Sequence, residues 1–560
     1  MTCAGPPGTA GPGGSADVAG GASRASGAGV GVPGRRTGVP GLPAGFGVVL
    51  DPGTKQLGED TLFGSGPARV LRLSRTGRAA LAELRAGPVR SDAAARLARK
   101  LTDTGLAHPC PPELPSRPDV TVLIPVRDRA ALLGQCLSAL GRCYPVVVVD
   151  DGSQDPGAVA DVTAAHGAAL VRRPVNGGPG AARNTGLLNV STDLVAFLDS
   201  DCVPGPGWIE RLAAHLADPV VAAVAPRIVA VPAGPSWAGR YTTAACCLDL
   251  GEAQARVVPG TGVAYVPAAA LLVRRAALVQ AGGPGVFDPA LRWGEDVDLV
   301  WRLHRAGWRI RYDPAVRVSH HEPRGWPALL ARRFRYGTSA APLASRHSGQ
   351  VPPLVLHPWP ALTVAGLLAG NPAVAGLGFT GSVLAMRATL HRAGLPSRGV
   401  VPVMLTATRQ TWLGMGRYAC QFGMPLLAGV LVVPGGGSPA RRWARRAAAA
   451  SLLLGPPLTA WSARRRSLGP VRYVLGHLAD DVAYGTGVWA GALRARNMAP
   501  VRPVIAWHPW RRSGLYDRGS GSGEDAGQGR CHVGEPSHGL AHAATPAGQV
   551  GGGPRRFRCW

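Results

Sequence analysis

Three short acidic runs stand where catalysis could use them. Asp150-Asp151-Gly152-Ser153 directly follows the apolar run VVVV, Asp199-Ser200-Asp201 follows LVAFL, and Gly294-Glu295-Asp296-Val297-Asp298 opens the apolar helix LVWRLHRAGW. The chain of 560 residues carries 33 Asp plus Glu against 60 Lys plus Arg, a formal net charge of +27, so carboxylates gathered at segment ends are informative. Brought to one sheet edge they repel one another unless a cation or hydrogen-bond donors neutralise them. A hard divalent ion, Mg²⁺ or Mn²⁺, does this with one or two protein carboxylates and completes its shell with substrate phosphate. In Asp-x-Asp at a strand end both side chains share a face, so one can hold the metal and the other a ribose hydroxyl or a metal-bound water. Alone, the pattern is mostly a solvated turn. The DDGS before it and the GED after it raise it above that.

A second constellation is Asn176-Gly-Gly-Pro-Gly-Ala-Ala-Arg183-Asn184-Thr185-Gly186. Glycines before a helix let backbone N–H groups approach a phosphate, and Arg183 adds a cationic fork. A glycine-rich strand-to-helix turn accounts for the same residues.

The elements that must position these groups are legible in the periodicity. VTVLIPV (120–126), VVVVD (146–150) and LVAFLD (194–199) are continuous β-branched runs, expected of parallel strands buried on both faces. WIERLAAHLAD (208–218) places Trp208, Leu212 and Leu216 on one helical face. Strand–helix alternation predicts an α/β parallel sheet, whose ligands bind beyond the carboxyl ends of the strands.

The series LIPVRDR, VVVVDDGS, NGGPGAARNTG, FLDSD and GEDVDL resembles a GT-A fold, family 2 inverting glycosyltransferase over roughly residues 118–322. The resemblance implies that Pro125 and Asp150 line a nucleoside pocket and that Asp151 and Arg183 help hold the nucleotide, with Asn176 counted in the same nucleotide-sugar group. It implies that Asp199 and Asp201 bind ribose and the metal, and that Asp296, or failing it Glu295, is the general base. His320, with His321 as near competitor, lies where the family brings a histidine toward the metal or diphosphate, and a purely structural histidine is the alternative. Arg332 and Arg335, in RRFRYG, lie where related enzymes face the diphosphate, and a membrane-proximal basic helix fits equally. Trp293 either stacks on an acceptor sugar or simply packs, and Asp298 reads as a helix-capping or structural acid. Arg127-Asp128 departs from the Asn-Glu of many members.

The chemistry is coherent with these roles. A sugar nucleotide has a diphosphate leaving group whose charge a metal and arginines stabilise. The acceptor hydroxyl needs a carboxylate to take its proton as it attacks the anomeric carbon. Attack opposite the leaving group inverts that centre. A carboxylate at a helix N-terminus is favoured in its ionised form.

The flanking sequence sets the domain plan. Residues 1–45, with 14 Gly and 6 Pro, read as a disordered leader, and 513–560 as a matching tail. Residues 46–108, with strand-like GVVLD and VLRL and helical stretches at 75–87 and 91–106, suggest a small winged-helix-like domain, either a peptide-binding module or a packing adjunct. The GT-A domain is expected over 118–345. From Pro323 to Ala479 there are 18 arginines and no Asp or Glu. Charge-free stretches at 347–386, 418–440 and 447–463 end in arginine clusters (Arg441, Arg442, Arg445, Arg446; Arg464, Arg465, Arg466), the pattern of cytoplasmic membrane flanks. Residues 346–500 are therefore expected to be a helical, membrane-associated region at the cytoplasmic face of the cell membrane, integral or peripheral, with a buried helical subdomain as the alternative.

Over residues 42–500 the chain resembles the mycofactocin-system glycosyltransferases of actinobacteria, on GFGVVLDP, LRLSRTGRAAL, RRFRYGTSAAPLA and HPWPALTVAGLLAG. That implies a UDP-sugar donor, UDP-glucose, a peptide-derived redox cofactor as small-molecule acceptor, and a short β-linked glucose chain as product. A family 2 enzyme acting on a lipid or cell-wall acceptor is the rival within enzymes. A nucleotidyltransferase would want a glycine-rich loop with a lysine near the first strand, and PVRDRAALLG has neither. From other classes come a basic nucleic-acid-binding protein and an inactive membrane scaffold. The arginines concentrate around apolar segments, so no nucleic-acid partner is expected, and the acidic motifs are complete. Ten scattered cysteines without C-x-x-C speak for reduced thiols, and the N-terminus carries no secretory pattern.

Overall fold

The computed structural model describes residues 39–506, apart from 66–67, 284, 393, 395, 398, 434–435 and 464–467, together with residues 533–534. The expected leader up to residue 38, the tail other than 533–534, and the Arg464–Arg466 cluster lie outside the described residues.

The first block builds β1 (Gly47–Leu50), β2 (Lys55–Leu57), β3 (Thr61–Ser65), β4 (Ala68–Arg72), α1 (Arg75–Ala86), α2 (Asp92–Thr104) and β5 (Ala107–Cys110). β2, β3 and β4 form an antiparallel sheet, and β1 pairs antiparallel with β5. The sequence signals for α2 hold. Ser91 Oγ accepts the Ala94 amide at 3.1 Å, and Gly105 closes the helix at φ 75°. Leu81, Leu84, Leu97 and Leu101 fill the core between the helices and the strands. The C-terminal half of α2 docks on the central domain through charge. Arg99 makes a two-pronged pair with Asp218, both bonds 2.7 Å and both residues buried, and Asp103 takes two bonds from Arg309. This is the contact a packing adjunct needs.

The central domain runs β6 (Val120–Val126), α3 (Ala130–Leu140), β7 (Val146–Asp151), α4 (Pro156–Ala165), β8 (Ala169–Arg173), α5 (Pro179–Leu187), β9 (Leu194–Leu198), β10 (Cys202–Pro204), α6 (Trp208–His215), β11 (Val221–Val231), α7 (Trp237–Ala244), β12 (Ala255–Arg256), β13 (Ala270–Arg274), α8 (Arg275–Gln280), α9 (Glu295–Arg305), β14 (Arg309–His321), α10 (Trp326–Thr338) and α11 (Ala340–Arg346). The sheet order is β10-β14-β11-β13-β9-β6-β7-β8. Strands β8, β7, β6 and β9 are parallel, as expected. β11 and β14 also pair parallel, but β13 runs antiparallel to β9 and β11, and β10 antiparallel to β14, so the sheet is mixed. Burial on both faces makes a strand read as a continuous apolar run whichever way it points, so periodicity could not reveal the direction of ALLVR in β13. Two cores sandwich the sheet, with Leu123 of β6 in one and its neighbours Val122 and Ile124 in the other.

The last block is helical. It comprises β15 (Val355–Leu356), α12 (Pro358–Leu368), α13 (Pro372–Arg392), α14 (Val400–Phe422), α15 (Met424–Val432), α16 (Pro439–Ser462), α17 (Pro470–Arg494) and β16 (Val504–Ile505). Asn371-Pro372 breaks the first charge-free stretch into a hairpin, with Asn371 Oδ1 capping α13 through the Val374 amide. Among the described residues α13 alone is long and apolar enough to cross a membrane, and most of it is exposed. Leu377, Leu384, Leu426, Val432 and Trp443 also face outward.

This block is fastened to the central domain along α10. A Cβ on Gly337 would run into the Tyr484 carbonyl, and one on Gly487 into the Phe334 carbonyl, so α10 and α17 touch backbone to backbone. Arg333 of α10 pairs with Asp480 of α17, and Asp481 accepts a hydrogen bond from Gln421 and lies 3.2 Å from His477 Nδ1. The described cysteines are free.

Candidate active site

The register of β6 and β7 sets Val126 beside Asp150, so both strands end together. Pro125, also in β6, is buried there. Asp150 is fully buried. Its Oδ1 accepts the Ser153 amide at 3.0 Å, while Oδ2 has no hydrogen-bond partner among the described residues and its nearest cation is Arg172 at 3.9 Å. A buried acceptor left open at a strand end is what a donor on a bound base would fill.

Asp151 points the other way. Its oxygens take the Gly177 and Gly178 amides at 3.0 and 2.7 Å and Arg173 Nε at 2.8 Å. The glycine-rich loop therefore spends these amides on a protein carboxylate, and Asn176 Oδ1 accepts the Gly178 amide as well. The turn reading of this loop accounts for what is seen. Gly180 is closely packed: a Cβ there would press on Glu295 Cγ and Phe287 Cβ at 3.2 Å.

Arg183, on α5, is the hub. It is 2% exposed, donates to Glu295 Oε1 at 2.9 Å and Asp199 Oδ1 at 2.6 Å, and lies over the Phe287 ring at 5.4 Å. Burial works against its charge, but Asp199, Glu295 and Asp296 outweigh it and hold Arg183 above the ordinary guanidinium value. With both arms engaged, Arg183 organises carboxylates from two motifs.

Glu295 and Asp296 open α9 behind Gly294 and differ in surroundings. Glu295 is buried, and its withdrawal from water, reinforced by Asp296 and opposed by Arg183, raises it to about 7. Asp296 is half-buried. Its Oδ1 accepts the Val297 amide at 2.8 Å and its Oδ2 the Ala268 amide at 3.3 Å; desolvation raises it despite Arg183. Asp298 faces the interior, where His347 Nε2 and Arg302 Nε both bond it at 2.8 Å, so it is structural as expected.

Asp201 and His320 meet across β10 and β14, whose register pairs Cys202 with His320. His320 Nε2 is 3.5 Å from Asp201 Oδ1, and its Nδ1 donates to Glu322 Oε1 at 3.2 Å. Glu322 is further held by Arg332; although burial disfavours its charge, His320 and Arg332 bring it down to about 2. Arg129 pairs with the other oxygen of Asp201. Arg332 is thus committed to Glu322, whereas Arg335 is exposed and lies over the Trp293 ring at 5.8 Å, with Tyr336 at 6.0 Å from the same ring. Trp293 packs here, immediately beside the acidic turn. His321 donates its amide to the Asp201 carbonyl at 2.9 Å.

Among the described residues no three His, Cys, Asp or Glu side chains are grouped as a ready metal cage. The donor set nevertheless suits a hard divalent ion. A histidine whose Nδ1–H is fixed by a carboxylate turns its Nε2 toward Asp201, the arrangement common behind metal-binding imidazoles. Two protein ligands with phosphate oxygens complete such a shell.

Glu322, Arg129, Phe287 and His347 were not singled out in the sequence. Glu322 had a signal, since it lies two residues beyond His320 and shares its face of an extended chain. Arg129 sits in the LIPVRDR motif itself. His347, 49 positions from Asp298, had none.

This sheet edge belongs to a class. The profile Glycosyl transferase family 2 matches residues 121–279, from β6 into α8, and the fold is that of a GT-A glycosyltransferase. A pre-mycofactocin glycosyltransferase of Mycobacterium tuberculosis is 39% identical over 482 residues, spanning 83% of this chain and 98% of that protein. The chain belongs to the mycofactocin-system glycosyltransferases of family 2. Glycosyltransferase AglE of Haloferax volcanii is 31% identical over 230 residues, 39% of this chain and 72% of that protein. Among solved structures, a mannosyltransferase from Pyrobaculum calidifontis in complex with GDP-Man and Mn²⁺ covers 62% of this chain and 88% of its own at 23% identity and a TM-score of 0.33.

Proposed function

We propose that the protein transfers a hexose, glucose from UDP-glucose, to the peptide-derived cofactor mycofactocin with inversion at the anomeric carbon, building a short β-linked oligosaccharide. The observation that carries this reading is the Arg183 bridge, which fixes Asp199 of the Asp-x-Asp turn beside the Glu295-Asp296 pair. Donor-binding and proton-accepting carboxylates are thereby held in one place.

Asp296 is the general base. It is the more accessible of the pair, and two amides steady its carboxylate, while Glu295 is tied to Arg183. It accepts the acceptor hydroxyl proton as that oxygen attacks. Asp150 offers its open oxygen to the base of the nucleotide. Asp201, His320 and Asp199 would hold a Mg²⁺ or Mn²⁺ ion, which when bound neutralises charge on the departing diphosphate. Arg335, exposed beside Trp293, is the cation left to face the diphosphate or acceptor.

The enzyme works at the cytoplasmic face of the membrane on this reading, which the exposed apolar side of α13 and the arginine-rich, carboxylate-free stretch from 323 to 479 support. The same surface favours a second reading, in which the acceptor is lipid-linked. Incubation with UDP-glucose and a pre-mycofactocin acceptor, followed by mass spectrometry, tests the proposal. Mass increments of one hexose on the soluble acceptor support it. Label appearing only in the organic extract of membranes favours the lipid acceptor.

A further inference from the structure

Helices α12, α14 and α16 diverge around a cleft of about 530 Å³ that lies outside the catalytic domain. That volume falls within the roughly 300–1,000 Å³ usual for small-molecule sites. Leu367 of α12, Leu405 and Trp412 of α14 and Ala448 of α16 give it apolar walls. Polar groups interrupt them: the Thr408 hydroxyl, enclosed and without a hydrogen-bond partner among the described residues, the Arg409 side chain, and the Ser451 hydroxyl, which donates to the Ala448 carbonyl.

α14 and α16 face each other across the cleft, where Trp412 Nε1 donates to Ser451 Oγ at 3.4 Å. Arg409 lines the cleft, and Arg441 precedes Ala444, Ala448 and Ser451 at helical spacing on α16. Neither has an ion-pair partner among the described residues, and no carboxylate occurs in the sequence between Glu322 and Asp480. Trp443, largely exposed, lies beside Arg441 in the first turns of α16, where an indole suits a membrane–water boundary. Exposed Leu454 and Leu458 follow on α16.

We propose that this cleft binds one anionic membrane phospholipid, its acyl chain along Leu367 and Trp412 and its phosphate at Arg409. The occupant is set by complementarity: an apolar slot with an uncompensated guanidinium in its wall matches a chain bearing a negative headgroup. The inference rests on the membrane reading above only for its source of lipid.

Trp412 supplies the readout. The full chain in detergent micelles is titrated with phosphatidylglycerol or phosphatidylcholine brominated on the acyl chain, and tryptophan quenching is followed. Phosphatidylglycerol is expected to quench at about fivefold lower mole fraction, the preference that one surface cation confers. Trp412→Phe should remove the selective component, Arg409→Gln should equalise the two lipids, and Ala448→Phe should fill the slot and abolish the selective component as well. Equal quenching by both lipids, or selective quenching retained in Trp412→Phe, overturns the proposal. Should Ala448→Phe not fold, Arg409→Gln on the surface still decides. Flotation with vesicles is scored separately: flotation without Trp412 quenching defeats the cleft and spares the membrane reading, and selective micellar quenching without flotation does the reverse.

Discussion

Arg183 and Glu295, 112 positions apart, are joined at 2.9 Å, and the other arm of the same guanidinium holds Asp199 at 2.6 Å. One side chain on α5 thus couples the strand end after β9 to the turn before α9. Losing a partner of a buried pair is costly because the charge left behind is uncompensated. Arg183→Gln should lower stability by about 3–5 kcal/mol and suppress transfer. Arg183→Lys should also fail to restore activity, since an ammonium cannot reach both carboxylates with a planar fork. Thermal melts and initial rates check both.

Asp296→Asn removes the proton acceptor and leaves the bonds of Arg183 to Glu295 and Asp199 in place. Transfer is expected to fall about 10²–10⁴-fold. UDP affinity by calorimetry should stay nearly unchanged. A variant with native turnover would exclude Asp296 as the base.

Glu295, raised to about 7, keeps a proton in the folded chain that the unfolded chain has released above the ordinary value of 4.5. The native state binds more protons in this window, so stability should fall as pH rises from about 4.5 to 7. Glu295→Gln should flatten that slope. Denaturant midpoints across the range measure it.

Glu322→Gln leaves the fold of β14 intact but weakens the hold on His320 Nδ1. Removing such a carboxylate typically costs about 10–100-fold in metal affinity. Calorimetric Mn²⁺ titration of the UDP-loaded protein should show this, with UDP binding in the absence of metal unaltered. Equal Mn²⁺ affinity in wild type and variant would remove His320 from the metal site.

The Arg99–Asp218 pair predicts how the first block is attached. Arg99→Leu leaves Asp218 buried and unpaired, at a cost of about 3–5 kcal/mol, and should expose the connection before β6 to limited proteolysis. Asp103, held below the ordinary carboxylate value because Arg309 outweighs its burial, contributes to the same contact. Its share is complete above the unfolded value and is lost as pH falls through the folded one.

Much of the site was legible because it is built from local runs. DDGS, the Asp-x-Asp turn and the Glu-Asp turn each follow or open an element whose period the sequence displays. What the sequence could not show is how side chains are spent. Asp151 and Arg183 are polar residues in motifs, and the motif alone does not say that one holds loop amides and the other two carboxylates. His347 is beyond reach for another reason, since its partner Asp298 lies on an element that approaches only after folding. The mixed sheet escaped because direction leaves no trace in hydropathy, whereas the caps of α2 did, because Ser91 and Gly105 answer to local geometry.

The close crossing of α10 and α17 has a geometric corollary. With Gly337 and Gly487 admitting not even a methyl group, these two rods cannot slide or roll past each other. The helical block is thereby clamped to the rod carrying Arg332 and Arg335, so on the membrane reading proposed above the acidic sheet edge would keep a set height and tilt over the lipid plane.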